Sequence, residues 1–186
     1  LFKERLETGG QGQDGQFSYY ASAWRTDQDG YRAQSKTNST GFSGKLRYSI
    51  DDRSDITTVV SFDRSIQQSP GPLTAAEFAQ DPRQANPIFL SNRVQSTVEE
   101  FRLGVIYRRE DLLGQDELVA TGYYIPRHLG PFQQIRVRVP QDFTNRGGNI
   151  QYLNKSPLGG YGNRITVGAD VQNTPITTGI FNSITG

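Results

Sequence analysis

The chain of 186 residues contains no cysteine, which excludes disulfides, thiolate metal sites and cysteine nucleophiles. Its single histidine is His128, and no GxSxG nucleophile elbow accompanies it, so a Ser/His/Asp triad is not expected. No run of apolar residues is longer than three, which excludes a transmembrane helix of about 20 apolar residues. We therefore expect no enzymatic activity, no catalytic residue, no metal site and no cofactor.

Charge is also nearly balanced, with a net charge of +1 and a pI near 8.2, so we expect no nucleic-acid partner. The mean hydropathy of −0.62 does not exclude a membrane protein. A β-barrel needs apolar residues only at alternate positions and therefore has an unremarkable average.

Alternation of polar and apolar residues is the clearest pattern in the sequence. In residues 41–50, Phe42 and Leu46 fall on one face of a predicted strand, and Lys45 and Arg47 fall on the other. The same alternation recurs in residues 55–65 and 163–173. This pattern predicts strands with one apolar side and one wet side.

Eight antiparallel strands are predicted in all, at residues 2–8, 16–26, 41–50, 55–65, 97–109, 117–127, 148–154 and 163–173. Short polar turns are predicted at residues 9–15, 51–55, 111–115 and 158–163, and long connections at 27–39, 66–96 and 128–147, where IRVRV (135–139) alternates as a short strand or loop ribbon. Short and long connections follow each other in turn, so each kind gathers at one end of the sheet. Outer-membrane barrels sort their periplasmic turns and extracellular loops in this way.

Charged and aromatic residues fit the same arrangement. The charged residues on the wet face are Lys45, Arg47, Asp63, Arg102, Arg108, Arg164 and Asp170. The aromatic residues expected at an interfacial girdle are Tyr19, Tyr20, Trp24, Tyr48, Phe62, Tyr107, Tyr123 and Tyr124. Arg109 falls on the apolar face, which a bilayer tolerates only at its edge.

One short helix is predicted inside the connection at 66–96. Thr74 followed by Glu77 is a capping-box pattern, and Pro82 disfavours helical geometry at Asp81. The helix is therefore expected around residues 74–80.

Three stretches carry a resemblance to a known family: SAWRTDQDGYRAQS (22–35), GKLRYSIDDRSDITTVVSFDRS (44–65) and SPGPLTAAEFAQDPRQANP (69–87). With their DGYR (29–32) and PGPLTAAEFAQDPR (70–83) pieces, they resemble the barrel of TonB-dependent outer-membrane receptors, in the branch that takes up siderophores and other iron complexes. NRITVGADVQN (163–173) is similar to a later strand of such barrels.

The resemblance implies an all-β fold: an antiparallel transmembrane β-barrel segment of about eight strands, from a barrel that has 22 strands in the family. It implies a location in the outer membrane of a Gram-negative bacterium, with outer-membrane lipid as one partner. A small-molecule ligand such as a ferric chelate, and the TonB complex acting through a plug domain, would be the others. No plug or TonB box is recognisable in residues 1–186, and residues 181–186 do not resemble a closing aromatic strand, so we expect an interior part of one barrel domain.

The ligand of such a receptor would be an anionic chelate, which requires cations and aromatic side chains at the extracellular mouth. The candidate ligand-binding residues in or beside the long connections are Tyr31, Arg32, Arg127, His128, Phe132, Arg136 and Arg138.

Other interpretations remain open at this point. Asp51, Asp52 and Asp55 could hold a hard cation, but we favour the interpretation that they form a tight polar turn. A passive porin-like or small anchoring outer-membrane barrel is the first alternative function. A soluble antiparallel β-sandwich with a binding function is the second.

Overall fold

The computed structural model describes residues 1–134 and 137–182, with side chains described for residues 1–130 and 139–181. These residues form one antiparallel sheet, and the predicted all-β fold is confirmed. The strands are β1 (Phe2–Gln11), β2 (Phe17–Gln28), β3 (Thr37–Asp51), β4 (Ser54–Gln68), β5 (Gln95–Glu110), β6 (Asp116–Gln134), β7 (Val137–Asn154), β8 (Ile165–Asn173), β9 (Ile176–Thr178) and β10 (Phe181–Asn182). The helices are α1 (Ala75–Gln80) and α2 (Pro87–Ser91).

Strands β1 to β7 follow one another in space as they do along the chain, and β8, β9 and β10 all pair with β7. Each of the eight predicted strands corresponds to one of β1 to β8. Within the described ranges, no helix is long and apolar enough to cross a membrane.

The pairing register keeps one face of the sheet apolar. Phe42, Gly44 and Leu46 of β3 lie opposite Phe62, Val60 and Thr58 of β4, and the side chains between them point the other way. We call this side the apolar face, defined by Phe42 and Leu46 and the residues paired with them. The opposite side, defined by Ser43 and Lys45 and their paired residues, is the polar face.

Neither face of the sheet is covered by another layer of the described chain. Within the described residues, the buried apolar side chains are Ala85, Val94 and Leu153, and only the last of these is in a strand. Leu46, Val105 and Ile150 on the apolar face remain between 40% and 48% exposed. The sheet is thus amphipathic without a packed core of its own.

A row of charged residues marks the loop end of the apolar face. Arg64, Glu99, His128 and Asp142 lie side by side on β4 to β7. The next charged residue of β5 on this face is Arg109, ten positions after Glu99. At about 3.3 Å per residue the uncharged interval is about 33 Å along the strand, or about 25 Å tall if the strand tilts by about 40°.

Arg146 is an exception, since it lies on the apolar face opposite Tyr124, within this interval. Its side chain is exposed and long enough to extend its guanidinium toward the charged row. Arg109 lies at the turn end, where Nη1 donates to Asp51 Oδ2 at 2.8 Å and to Ser54 Oγ at 3.2 Å, while Nε is buried without a partner.

Aromatic side chains form two rows at the borders of this interval. Phe42, Phe62 and Phe101 lie next to the charged row, and Tyr48 and Tyr107 flank Ile56 near the turn end. The predicted girdle was wrong for three residues that lie on the polar face, namely Tyr20, Trp24 and Tyr123. Neighbouring residues of a strand point to opposite faces, so Tyr19 and Tyr20, or Tyr123 and Tyr124, cannot both belong to one girdle.

Two features of the long connections differ from the prediction. Residues 128–134 and 137–147 are strand and not loop, since β6 ends at Gln134 and β7 begins at Val137, with a register shift between Leu129 and Phe132. The connection at residues 69–94 contains α2 in addition to the predicted α1. Asn86 caps α2 and Pro87 occupies its first turn, a sequence signal that could have predicted this helix.

Candidate functional site

Six of the seven candidate ligand-binding residues are described by the structure, and they lie in three separate places. Tyr31 and Arg32 are in the 29–36 loop. Arg127 and His128 are neighbours on β6 and therefore point to opposite faces. Phe132 lies on β6 and Arg138 on β7, whereas Arg136 lies outside the described residues.

Arg127 and His128 each have an acidic neighbour. Arg127 Nε lies 3.6 Å from Glu100 Oε2 on the polar face. His128 Nδ1 lies 2.6 Å from Asp142 Oδ1 on the apolar face. Because the two side chains lie on opposite faces, Arg127 and His128 do not form one site.

Arg32 joins the 29–36 loop to the 69–94 loop. Its Nε donates to the Gln84 carbonyl at 3.0 Å, Nη1 to the Gly71 carbonyl at 2.7 Å, and Nη2 to the Pro70 carbonyl at 3.4 Å. A guanidinium carries five N–H groups in a fixed planar arrangement, which suits it to hold several carbonyls at once. These contacts give Arg32 a structural role, and its contact with a ligand stays a prediction.

Gln34 makes a second connection between the same loops. Its side-chain amide donates to the carbonyls of Phe89 at 2.6 Å and Ser69 at 3.1 Å, and lies 3.4 Å from that of Val94. The Ala33 amide donates to the Arg83 carbonyl at 2.7 Å. Residues 29–36 and 69–94 therefore form one connected structure, which we call the loop unit.

The loop unit is built from strong local signals. The capping box of α1 is present: the Glu77 amide donates to Thr74 Oγ1 at 3.2 Å, and the Thr74 amide donates to Glu77 Oε2 at 2.8 Å. The hydrogen bonds from the Thr74 backbone and hydroxyl hold the pKa of Glu77 below its usual value. This cap confirms the predicted helix.

Glycine is required at two turns of the loop unit. Gly30 has a φ of +72°, and a Cβ there would lie 2.4 Å from the Ser35 carbonyl oxygen. Gly71 has a φ of +69°, and a Cβ there would lie 2.5 Å from the Phe89 ring. Phe89 thus packs directly over the backbone at Gly71.

Tyr31 and Arg83 form an exposed aromatic and cationic pair on the loop unit. The Arg83 guanidinium lies 5.2 Å from the centroid of the Tyr31 ring, and Tyr31 is 65% exposed. Within the described parts of the chain, the Arg83 guanidinium has no acidic partner, and its backbone amide donates to Asp81 Oδ1 at 2.8 Å. Sequence reasoning missed Arg83, although it belongs to the DPR piece that carries the resemblance.

The polar face carries a compact charge network near the loop end. Arg102 Nη1 lies 3.2 Å from Asp63 Oδ2, and the same guanidinium pairs with Glu100, which also faces Arg127. The two arginines and the two carboxylates of this network carry no net charge. The network can therefore contact water or another polar surface without favouring an anionic or a cationic ligand.

At the turn end, a cavity of about 390 Å³ is lined by acidic and arginine side chains. Asp51 accepts from the Arg53 amide at 2.8 Å, and Asp55 pairs with Arg47 at 3.0 Å. These contacts fit the predicted polar turn. No group of three or more potential metal ligands occurs in the described ranges.

No protein-family model matches the chain, and no curated protein matches it in sequence.

Proposed function

We propose that this chain forms part of the wall of an outer-membrane β-barrel, with its apolar face against lipid and its polar face toward the lumen. The observation that carries the proposal is the uncovered apolar face, which over about 25 Å carries no charged residue of the described strands except Arg146 and is bordered by two aromatic rows. The height of this apolar face equals the height of the apolar band of membrane barrels. Because the face is exposed, it requires an apolar partner. In this orientation the two-residue turn after β3 faces the periplasm and the loop unit faces the outside.

Within that class, we propose a TonB-dependent receptor that imports a ferric siderophore or a similar iron complex. The support is the resemblance of DGYR (29–32) and PGPLTAAEFAQDPR (70–83), together with a loop unit that presents an arginine and a tyrosine to solvent. Capture of an anionic complex by the loops would precede energy-driven passage through the lumen.

Spin labels at adjacent positions of the same strand test the orientation. Labels at Leu46 and Val60 should contact lipid, and labels at Lys45 and Ser61 should contact water, because these pairs lie on opposite faces. The absence of native cysteine makes single-site labelling straightforward. Water contact at all four positions, with recovery in the soluble fraction without detergent, would instead support a soluble sandwich.

Uptake of radioactive iron complexes by cells with and without TonB tests the receptor assignment. Uptake should stop when TonB is absent, because the plug of such receptors moves only when energy is supplied. Uptake that persists without TonB would identify a passive porin-like barrel and would leave the wall assignment intact.

A further inference from the structure

The two short segments that carry the family resemblance lie against each other in the structure. Residues 29–32 are DGYR and residues 81–84 are DPRQ, separated by about fifty positions in sequence. Tyr31 lies under the guanidinium of Arg83, Arg32 donates to the Gln84 carbonyl, and the Ala33 amide donates to the Arg83 carbonyl. Three consecutive residues of one loop thus hold two consecutive residues of the other.

We infer that this junction is a preassembled anion-binding surface, in which Arg83 contacts the ligand and Arg32 is a positioning residue. The inference rests on the proposed function for its ligand. It assigns to Arg83 a role that the sequence had suggested for Arg32.

The difference between the two arginines lies in how their donors are used. The Arg32 guanidinium is part-buried and donates to three backbone carbonyls. The Arg83 guanidinium is exposed and contacts a ring face, so its N–H edges remain available to an acceptor. A ligand can approach the edges of Arg83 without breaking a hydrogen bond of the loop unit.

The chemistry of the pair selects a flat anion. The planar guanidinium can donate two parallel hydrogen bonds to a carboxylate or a catecholate, and Tyr31 adds an exposed aromatic surface beside it. Fixing these groups before binding lowers the entropy lost on association. The occupant is therefore an anionic chelate that presents flat oxygen ligands.

Hydrogen exchange tests the positioning role without a ligand. In Arg32→Ala, the amides of Ala33 and Asn86 should exchange about tenfold faster, because the loops lose a shared anchor. Arg93→Ala is the matched control, an exposed arginine in the same loop, and it should leave both amides unchanged. Arg83→Ala should also leave them unchanged, since the Arg83 side chain contacts the Tyr31 ring, whereas the Arg32 side chain holds the loop carbonyls. Unaltered exchange in Arg32→Ala would overturn the positioning role.

Binding to the protein in outer-membrane vesicles tests the contact role, with two probes of different charge. The probes are an anionic ferric tricatecholate complex and a neutral ferric trihydroxamate complex. Arg83→Ala should weaken binding of the anionic probe by about tenfold or more, and Arg83→Lys should restore part of it. Arg32→Ala should weaken binding of the same probe and should also speed up exchange of the Ala33 and Asn86 amides.

Three results would overturn the contact role: anionic binding unchanged in Arg83→Ala, equal binding of both probes by the wild-type protein, or binding of neither. The spin-label pattern and membrane fractionation of each variant report on the proposed function separately. A protein that keeps its lipid-facing pattern but fails these binding tests would retain the barrel and lose the anion surface.

Discussion

The sheet and the loop unit differ in where their apolar residues lie and in what holds them together. The sheet is held by backbone pairing over strands as long as 19 residues, and its apolar side chains remain exposed on one face. The loop unit has little regular structure, yet it contains Ala85 and Val94, two of the three buried apolar residues in the described chain. In a water-soluble domain this distribution would be reversed.

The difference is the one expected if the sheet faces lipid and the loops face water, as proposed above. A sheet whose backbone hydrogen bonds are formed between its strands can expose an apolar face to lipid, because contact with lipid carries no cost for apolar side chains. A loop in water must bury what apolar surface it has and must satisfy its own carbonyls. Arg32 and Gln34 supply those donors in the loop unit.

The largest effect should come from a charge on the apolar face. Val60→Lys should lower the free energy of unfolding in lipid vesicles by about 2–4 kcal/mol, because the lysine would lie near the middle of the apolar band. Val59→Lys is the matched control, the adjacent valine on the polar face, and it should have little effect. Equal losses, measured by urea unfolding, would contradict the assignment of lipid to one face only.

A somewhat smaller effect is expected where an aromatic ring covers a glycine on the polar face. In Gly41→Ala, the new Cβ would lie 2.7 Å from Trp24 Nε1 and 2.8 Å from Asp63 Oδ1, so the ring must move. Overpacking of this kind costs about 1–3 kcal/mol. The single tryptophan makes its fluorescence a specific report of ring displacement.

Gly104→Ala provides the control for this comparison, since Gly104 is also on the polar face but has no atom within 4 Å of a new Cβ. Its fluorescence and stability should stay close to those of the wild type. A spectral change of the same size in both variants would show that Trp24 does not pack over Gly41.

The loop unit should respond to Gln34→Ala without a change in the sheet. The loss of an amide that holds the carbonyls of Phe89 and Ser69 should destabilise the loop by about 1 kcal/mol. Limited proteolysis should then cleave residues 69–94 faster, while cooperative unfolding of the strands keeps its midpoint. Gln80→Ala is the control, because it removes an exposed glutamine of α1. Its rate of cleavage should equal that of the wild type.

The smallest effect should be the pH dependence of the cap on α1. The folded pKa of Glu77 lies below its ordinary value of 4.5, so its carboxylate stabilises the cap above that pH. The contribution is lost as pH falls through the folded pKa, and exchange of the Glu77 amide should then accelerate. In Glu77→Gln, which keeps the capping acceptor, this acceleration should disappear; its persistence would assign the pH response to another group.

Much of the sheet could be predicted because its information is local. Alternation in residues 41–50 and 55–65 fixes which side chains share a face, and a two-residue turn then fixes the register between β3 and β4. The capping box at Thr74 and Glu77 is equally local, and it was predicted from four residues. The second helix was missed although Asn86 and Pro87 carry a start signal of the same kind.

The candidate site was predicted less well, because its contacts join distant parts of the chain. The sequence identified DGYR and DPR separately, and nothing in the residues between them indicates that Arg32 reaches Gln84 or that Arg83 covers Tyr31. Arg127 and His128 were grouped because both lie in or beside the connection predicted at 128–147, but in a strand adjacent residues point to opposite faces.

The sequence by itself determined that eight of the strands exist, together with the two chemically distinct faces and the capped helix, since each follows from backbone periodicity or from groups within one helical turn. Only the tertiary structure decided which arginine of the loop unit is occupied by backbone carbonyls and which presents its donors to solvent. That choice depends on where Pro70, Gly71 and Gln84 come to lie when the two loops meet. Such positions are set by the packing of the whole unit, and no local pattern in the sequence encodes them.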